Sequence, residues 1–88
     1  MEGFFYVYIL LCRDGDFYTG FTGDLKRRLK EHNCGNNIST RNRRPVELIY
    51  FEAHKSKTDA YRRETYFKTS KGKTTLKKIL NNYLEFKV

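Results

Sequence analysis

The run Phe4-Phe5-Tyr6-Val7-Tyr8-Ile9-Leu10-Leu11-Cys12 is the longest uncharged apolar stretch of the chain, and it constrains the fold most. Nine residues are too few to cross a membrane, which takes about 20 in a helix. β-Branched and aromatic residues dominate the run, so it reads as a strand. Arg13-Asp14-Gly15-Asp16 follows, and Asp-Gly tolerates the dihedrals of a tight turn. Phe17 to Phe21 returns as a second strand, so the chain opens with a hairpin.

The remainder alternates between helix and strand signals. Asp24 is placed to cap a helix over Leu25 to Asn33, with Leu25 and Leu29 four apart on its inner side. Residues 34–44 read as a polar loop, closed by Pro45. Val46 to Ala53 is a third strand, and its consecutive Leu48-Ile49-Tyr50-Phe51 suggests cover on both faces. Ser56-Lys57-Thr58-Asp59 has the form of a capping box for a helix reaching Thr69. Lys71-Gly72-Lys73 is expected to break that helix. Leu76, Ile79, Leu80 and Tyr83 then give a last amphipathic helix. The order is ββαβαα, an α/β (α+β) arrangement with a three-stranded mixed sheet flanked by helices. At 88 residues there is room for one domain.

Composition narrows the partner. Lys plus Arg number 18 against 10 Asp plus Glu, a net charge of +8. Residues 1–22 carry one basic and three acidic side chains, residues 23–50 seven and three, and residues 51–88 ten and four. The basic surface is therefore built after residue 22, and such a surface favours a polyanion, nucleic acid first. Lys26, Arg27, Arg41, Arg43, Arg44, Lys68 and Lys71 are its candidate contacts, over a wider basic background that includes Lys73, Lys77 and Lys78. Aromatic residues at 16% argue against disorder. Met1-Glu2-Gly3 lacks a basic segment, so no signal peptide is expected and a cytoplasmic location is. Cys12 and Cys34 are too few for a disulfide framework or a zinc site and read as small hydrophobes. Phosphate loops, dinucleotide fingerprints, HExxH and serine-elbow motifs are absent from the sequence.

Five residues are candidates for chemistry. Tyr8 shares a strand face with Tyr6, and Tyr18 lies on the second strand; packing alone would also account for both. Arg28 and His32 are four apart on the first helix, beside its apolar stripe. They form either a phosphate clamp or an ordinary surface pair. Glu64 lies between Ala60 and Phe67 on what should be a buried stripe. A carboxylate there needs a cation: Arg28 or a lysine in one reading, a hard divalent metal in the other.

These pieces, in this order, resemble the GIY-YIG nuclease domain. Tyr6-Val7-Tyr8-Ile9-Leu10 is similar to its first motif, with Tyr6 in place of glycine. Tyr18-Thr19-Gly20 is similar to its second, with Thr19 in place of isoleucine, and the match continues through Thr22, Arg28, His32 and Glu64. The resemblance covers residues 4–80 as one domain and leaves 81–88 as the C-terminal end of the last helix and tail. The short length, with Arg43-Arg44-Pro45 leading into Leu48-Ile49-Tyr50, is similar to the small stand-alone members called UPF0213 or YhbQ-like proteins.

The resemblance implies metal-dependent hydrolysis of phosphodiesters in nucleic acid, DNA ahead of RNA, in DNA processing or repair. From the sequence itself no membrane partner is expected and no obligate protein partner is evident. Tyr8, Tyr18, Arg28 and His32 would be catalytic, and Glu64 would bind Mg²⁺ or Mn²⁺. A late asparagine found in many members has only Asn81 and Asn82 as candidates. The alternative is a nucleic-acid-binding module with a weak or silent site. Chemically, Arg28 would hold a non-bridging oxygen, and Tyr8 would orient or deprotonate the attacking water. For deprotonation its pKa must fall below the usual 10, and Arg28, lysines and a metal are expected to push it down.

A shared site also constrains the hairpin. Directly opposed residues share a sheet face. A two-residue Asp14-Gly15 loop would put Tyr8 and Tyr18 on opposite faces. Pairing Cys12 with Asp16, pairing Arg13 with Phe17, or adding a bulge puts them on one face. An odd-length connection or a bulge is therefore expected.

Overall fold

A computed structural model of the chain describes residues 3–87. Its elements are β1 (Phe5–Leu11), β2 (Phe17–Thr22), α1 (Leu25–Asn33), a 3₁₀ turn (Arg41–Arg43), β3 (Glu47–His54), α2 (Lys57–Phe67), α3 (Ser70–Ile79) and α4 (Asn81–Lys87). The sheet order is β2-β1-β3, with the apolar β1 in the middle. Both pairings are antiparallel, so the sheet is not mixed as expected. The strands β2 and β3 run the same way, but β1 stands between them and removes any parallel ladder. A bulge between Ile9 and Leu10 shifts the β1–β3 register. Among the described residues no helix is long and apolar enough to cross a membrane.

The hairpin follows the odd-loop expectation. Cys12 donates its amide to the Asp16 carbonyl at 2.9 Å, and the Gly15 amide donates to the Cys12 carbonyl at 2.9 Å. The loop is thus Arg13-Asp14-Gly15, and Gly15 sits at φ +83°, a conformation that favours glycine. The register pairs Tyr8 with Gly20 and Leu10 with Tyr18, so both tyrosines lie on one face.

The two faces of β1 are buried against different things. Val7 and Ile9 pack on Ala60, Phe67 and Leu76, the core under α2 and α3. Tyr6, Tyr8 and Leu10 occupy the opposite face and are also buried, Tyr8 and Leu10 fully. Phe67 is fully buried, and Phe67→Ala is expected to lower stability by about 3–5 kcal/mol, read as a shift of the denaturant midpoint.

The helical half departs from expectation at two joints. The break after α2 falls at Lys68-Thr69, not at Lys71-Gly72-Lys73. Thr69 caps α3 by accepting the Gly72 amide at 3.0 Å. Gly72 then lies inside the first turn of α3, where a Cβ would collide with the Tyr66 carbonyl. The glycine allows close helix crossing rather than ending a helix. The last amphipathic segment is also two helices, because Leu80 closes α3 and Asn81 opens α4.

Candidate functional site

The site is assembled on the Tyr8 face of the sheet. The Thr22 hydroxyl accepts the Asp24 amide at 3.0 Å, and Asp24 in turn accepts the Arg27 amide at 3.1 Å. This capping chain ties the end of β2 to the start of α1 and sets the phase of the helix. Two turns later His32 points inward and is fully buried. The surface alternative for His32 is thereby excluded.

The Tyr8 hydroxyl lies 2.8 Å from His32 Nε2, in a buried hydrogen bond. His32 Nδ1 lies 2.7 Å from the Thr40 hydroxyl, which is also fully buried. The Tyr18 ring is 5.2 Å from the imidazole and 6.4 Å from the Tyr8 ring, centroid to centroid. Gly20 faces Tyr8 across the ladder, and a Cβ there would overlap the phenol ring and its hydroxyl. Gly20→Ala is therefore expected to displace the Tyr8 hydroxyl and destabilise the fold by about 1–3 kcal/mol, the usual range for overpacking. Thermal unfolding and the His32 ring resonances would register both effects.

Arg28 stands one turn before His32. Glu31 approaches its Nε to 3.0 Å, but off the hydrogen-bonding line, so this buried nitrogen makes no hydrogen bond. The rest of the guanidinium, on a part-exposed side chain, is what an incoming phosphate oxygen can reach. Glu64 is largely withdrawn from solvent at 15% side-chain exposure, and Lys68 supplies its cation at 3.2 Å. The charge of Glu64 is felt at the Tyr8 hydroxyl.

The electrostatics reverse one expectation. Burial, and next Tyr18, push the Tyr8 hydroxyl well above the ordinary tyrosine range, and Arg28 opposes them without prevailing. The protein's own groups therefore keep Tyr8 protonated. Burial first, and Arg28 second, hold His32 below its ordinary value, so the imidazole is neutral at pH 7. An unfolded chain takes up a proton on this histidine near pH 6.5, and the folded one does so only at lower pH. Stability is thus expected to fall as pH drops from about 6.5 towards 5. His32→Gln should show a smaller change in urea midpoint across that window.

The basic candidates divide by partner. Lys26 and Arg27 are exposed on α1, where Arg27 pairs with Glu31 at 3.9 Å, and Arg41 and Lys71 are exposed elsewhere. Arg43 instead forms a two-point contact with Asp14 at 2.8 and 3.2 Å. Arg44 donates to the carbonyls of Arg41 and Asn33 at 3.0 and 3.4 Å. These two arginines fasten the loop to the hairpin and to the end of α1. Beside Tyr18 a groove of about 360 Å³ runs between β2 and α3, lined by Lys68, Lys73 and Lys77. Lys73 and Lys77 belonged only to the general basic background of the sequence. Asn81 and Asn82 are exposed at the start of α4, which packs on α3. Thr40 had no distinguishing signal in its polar loop.

Among the described residues there is no group of three or more His, Cys, Asp or Glu side chains that could hold a metal. Glu64, whose charge reaches the Tyr8 hydroxyl, is the acidic group on hand. A hard divalent cation such as Mg²⁺ accepts one carboxylate and keeps several waters, so this donor set fits it.

Comparison with known proteins gives the same assignment. The chain matches the GIY-YIG catalytic domain family over residues 4–79. A UPF0213 protein of Streptococcus agalactiae is 53% identical over 64 residues, covering 72% of this chain and 73% of its own. Another, from Pediococcus acidilactici, is 43% identical over 84 residues, 92% of this chain and 86% of its own. The solution structure of a UPF0213 protein from Bacillus halodurans is similar, with a TM-score of 0.57 at 40% identity over 86% of this chain and 84% of that one. An E. faecalis protein solved by NMR gives a TM-score of 0.58 at 35% identity over 91% and 93%. With its motifs on one buried face and these relatives around it, the chain belongs to the GIY-YIG catalytic domain family, a family of nucleases, and to its UPF0213 group.

Proposed function

We propose that residues 4–80 form a metal-dependent phosphodiester hydrolase acting on nucleic acid, DNA ahead of RNA, in cytoplasmic DNA processing or repair. The observation that carries this is the buried 2.8 Å bond between Tyr8 and His32, with Tyr18 against the same imidazole. Two phenols, a neutral imidazole and a part-exposed guanidinium are the parts a phosphoryl transfer needs.

The roles follow from geometry and charge. Arg28 binds a non-bridging phosphate oxygen through the exposed part of its guanidinium, while Glu31 holds Nε. Tyr8 orients the attacking water. As water adds to phosphorus and the bond from phosphorus to the leaving ester oxygen breaks, the water proton moves to the Tyr8 oxygen, the Tyr8 proton moves to His32 Nε2, and the leaving oxygen takes a proton from solvent. This relay asks for no free tyrosinate, which agrees with the raised pKa of Tyr8. Tyr18 packs its ring against the imidazole and lines the neighbouring groove. Glu64 would hold Mg²⁺ or Mn²⁺, which stabilises charge developing on the phosphate.

The direct test is incubation with plasmid, single-stranded DNA, branched DNA and RNA, with Mg²⁺, Mn²⁺ or EDTA. Absence of metal-dependent products from every substrate would sink the reading. A second reading, a nucleic-acid-binding module with a silent site, is favoured by the Lys68 ammonium already seated on Glu64. Both readings require salt-sensitive binding. Each phosphate neutralised contributes about −0.7 to −0.9 to the log–log salt slope, so three groove lysines alone predict a slope near −2 to −3. Fluorescence anisotropy at 50–200 mM salt measures it, and a flat slope would remove both.

A further inference from the structure

We propose that Thr40 is a positioning residue: its hydroxyl accepts the Nδ1 proton of His32 and so keeps Nε2 open for the proton of Tyr8. This rests on the reading of Tyr8 and His32 as reacting groups. Thr40 itself is behind the imidazole and touches no substrate.

A neutral imidazole has one N–H and one acceptor nitrogen. Here both nitrogens are engaged, at 2.8 Å to Tyr8 and 2.7 Å to Thr40. Two arrangements fit these distances. In the first, Tyr8 donates to Nε2 and Nδ1 donates to Thr40. In the second, Thr40 donates to Nδ1 and Nε2 donates to Tyr8. Each uses one hydroxyl proton and leaves the other without a partner in these two bonds, so counting does not choose. Acidity does. Both hydroxyls are fully buried, so burial weakens the two alike; ring resonance still leaves the phenol the stronger donor, and the alcohol oxygen, which shares no lone pair with a ring, is the better acceptor. The phenol therefore donates to the imine nitrogen, and the alcohol receives the imidazole proton.

The loop is built to hold that hydroxyl in place. The Thr40 carbonyl accepts the Arg43 amide at 2.8 Å, and its own amide reaches the Asn37 carbonyl at 3.3 Å. Arg43 is clamped to Asp14, and its carbonyl accepts the Arg13 amide at 2.9 Å. Arg44 fastens the same loop to the last residue of α1. The arginine-rich loop thus acts through Thr40 on His32 and through His32 on Tyr8.

The test compares wild type, Thr40→Val and Thr40→Ser. Long-range proton–nitrogen NMR at pH 8 reads the His32 tautomer, with His32→Gln assigning the ring against His54. Wild type and Thr40→Ser should show the Nδ1–H form. Valine offers no acceptor, so Thr40→Val should move to the Nε2–H form, with Tyr8 as acceptor. Cleavage by Thr40→Val should fall about 100-fold or more at nearly constant KM, and serine should restore it. A wild-type ring in the Nε2–H form overturns the proposal. So does an unchanged tautomer or rate in Thr40→Val, or a failure of serine to restore both. Should Thr40→Val not fold, the wild-type and serine tautomers still decide. The tautomer is independent of turnover, so loss of the nuclease reading and loss of the Thr40 assignment remain separate results.

Discussion

Glu64→Gln should abolish divalent-dependent cleavage, by about 10³-fold or more, while leaving the fold and nucleic-acid affinity nearly intact. The amide preserves volume and hydrogen-bonding capacity but not charge. A hard cation held by one carboxylate loses its only anionic protein ligand in this change. The fold should tolerate it because Glu64 meets a largely exposed lysine just past the end of its helix, a pairing worth under about 1 kcal/mol. Binding should tolerate it because the change removes a negative charge beside a basic groove. Cleavage, melting temperature and anisotropy on one preparation give the three readouts. Wild-type turnover in Glu64→Gln would make Glu64 a structural partner of Lys68 and leave the metal without its assigned ligand.

How much of this was legible in the sequence depends on whether a residue's role is local. The strands and α1 were legible because their patterns are local: the β-rich run around Tyr8, the Asp24 cap, the four-residue spacing of Arg28 and His32. The hairpin was legible through a constraint rather than a propensity. Asp-Gly alone suggests a two-residue turn, whereas placing both tyrosines on one face required the odd loop that the Cys12–Asp16 pairing provides. Gly72 was misread because a glycine in a lysine-rich segment looks like a break, and only the approach of Tyr66 reveals its packing role. Sheet direction was equally out of reach, since it depends on where β3 returns relative to β1.

The site divides along the same line. Candidate residues could be taken from motif positions, but their environment could not. Arg28 and the lysines suggested a lowered tyrosine pKa, yet burial outweighs them at Tyr8. Arg43 and Arg44 looked like free charges because their partners, Asp14 and the Asn33 carbonyl, are distant in sequence. Thr40 owes its place to a loop that folds back over α1, which no local pattern announces.

Tyr8→Phe should lower cleavage by about 10²- to 10⁴-fold, the range for loss of a positioned acid–base group, with little change in KM. Phenylalanine keeps the ring against Gly20 and His32, so packing is preserved. It leaves His32 Nε2 without its partner in a buried setting, and stability should fall by about 1–3 kcal/mol. The pH dependence identifies the chemistry. A free tyrosinate would make the rate rise about tenfold per pH unit below the tyrosine pKa. The relay through His32 needs a neutral imidazole and a protonated phenol. Burial depresses the pKa of the first and raises that of the second. Both groups therefore keep the required form from about pH 7 to 9.5, given ordinary values near 6.5 and 10. The rate should be level across that interval and decline only in acid, as His32 takes up a proton. A steep climb between pH 7 and 9.5 that Tyr8→Phe abolishes would instead assign the attack to tyrosinate and take the proton-accepting role from His32.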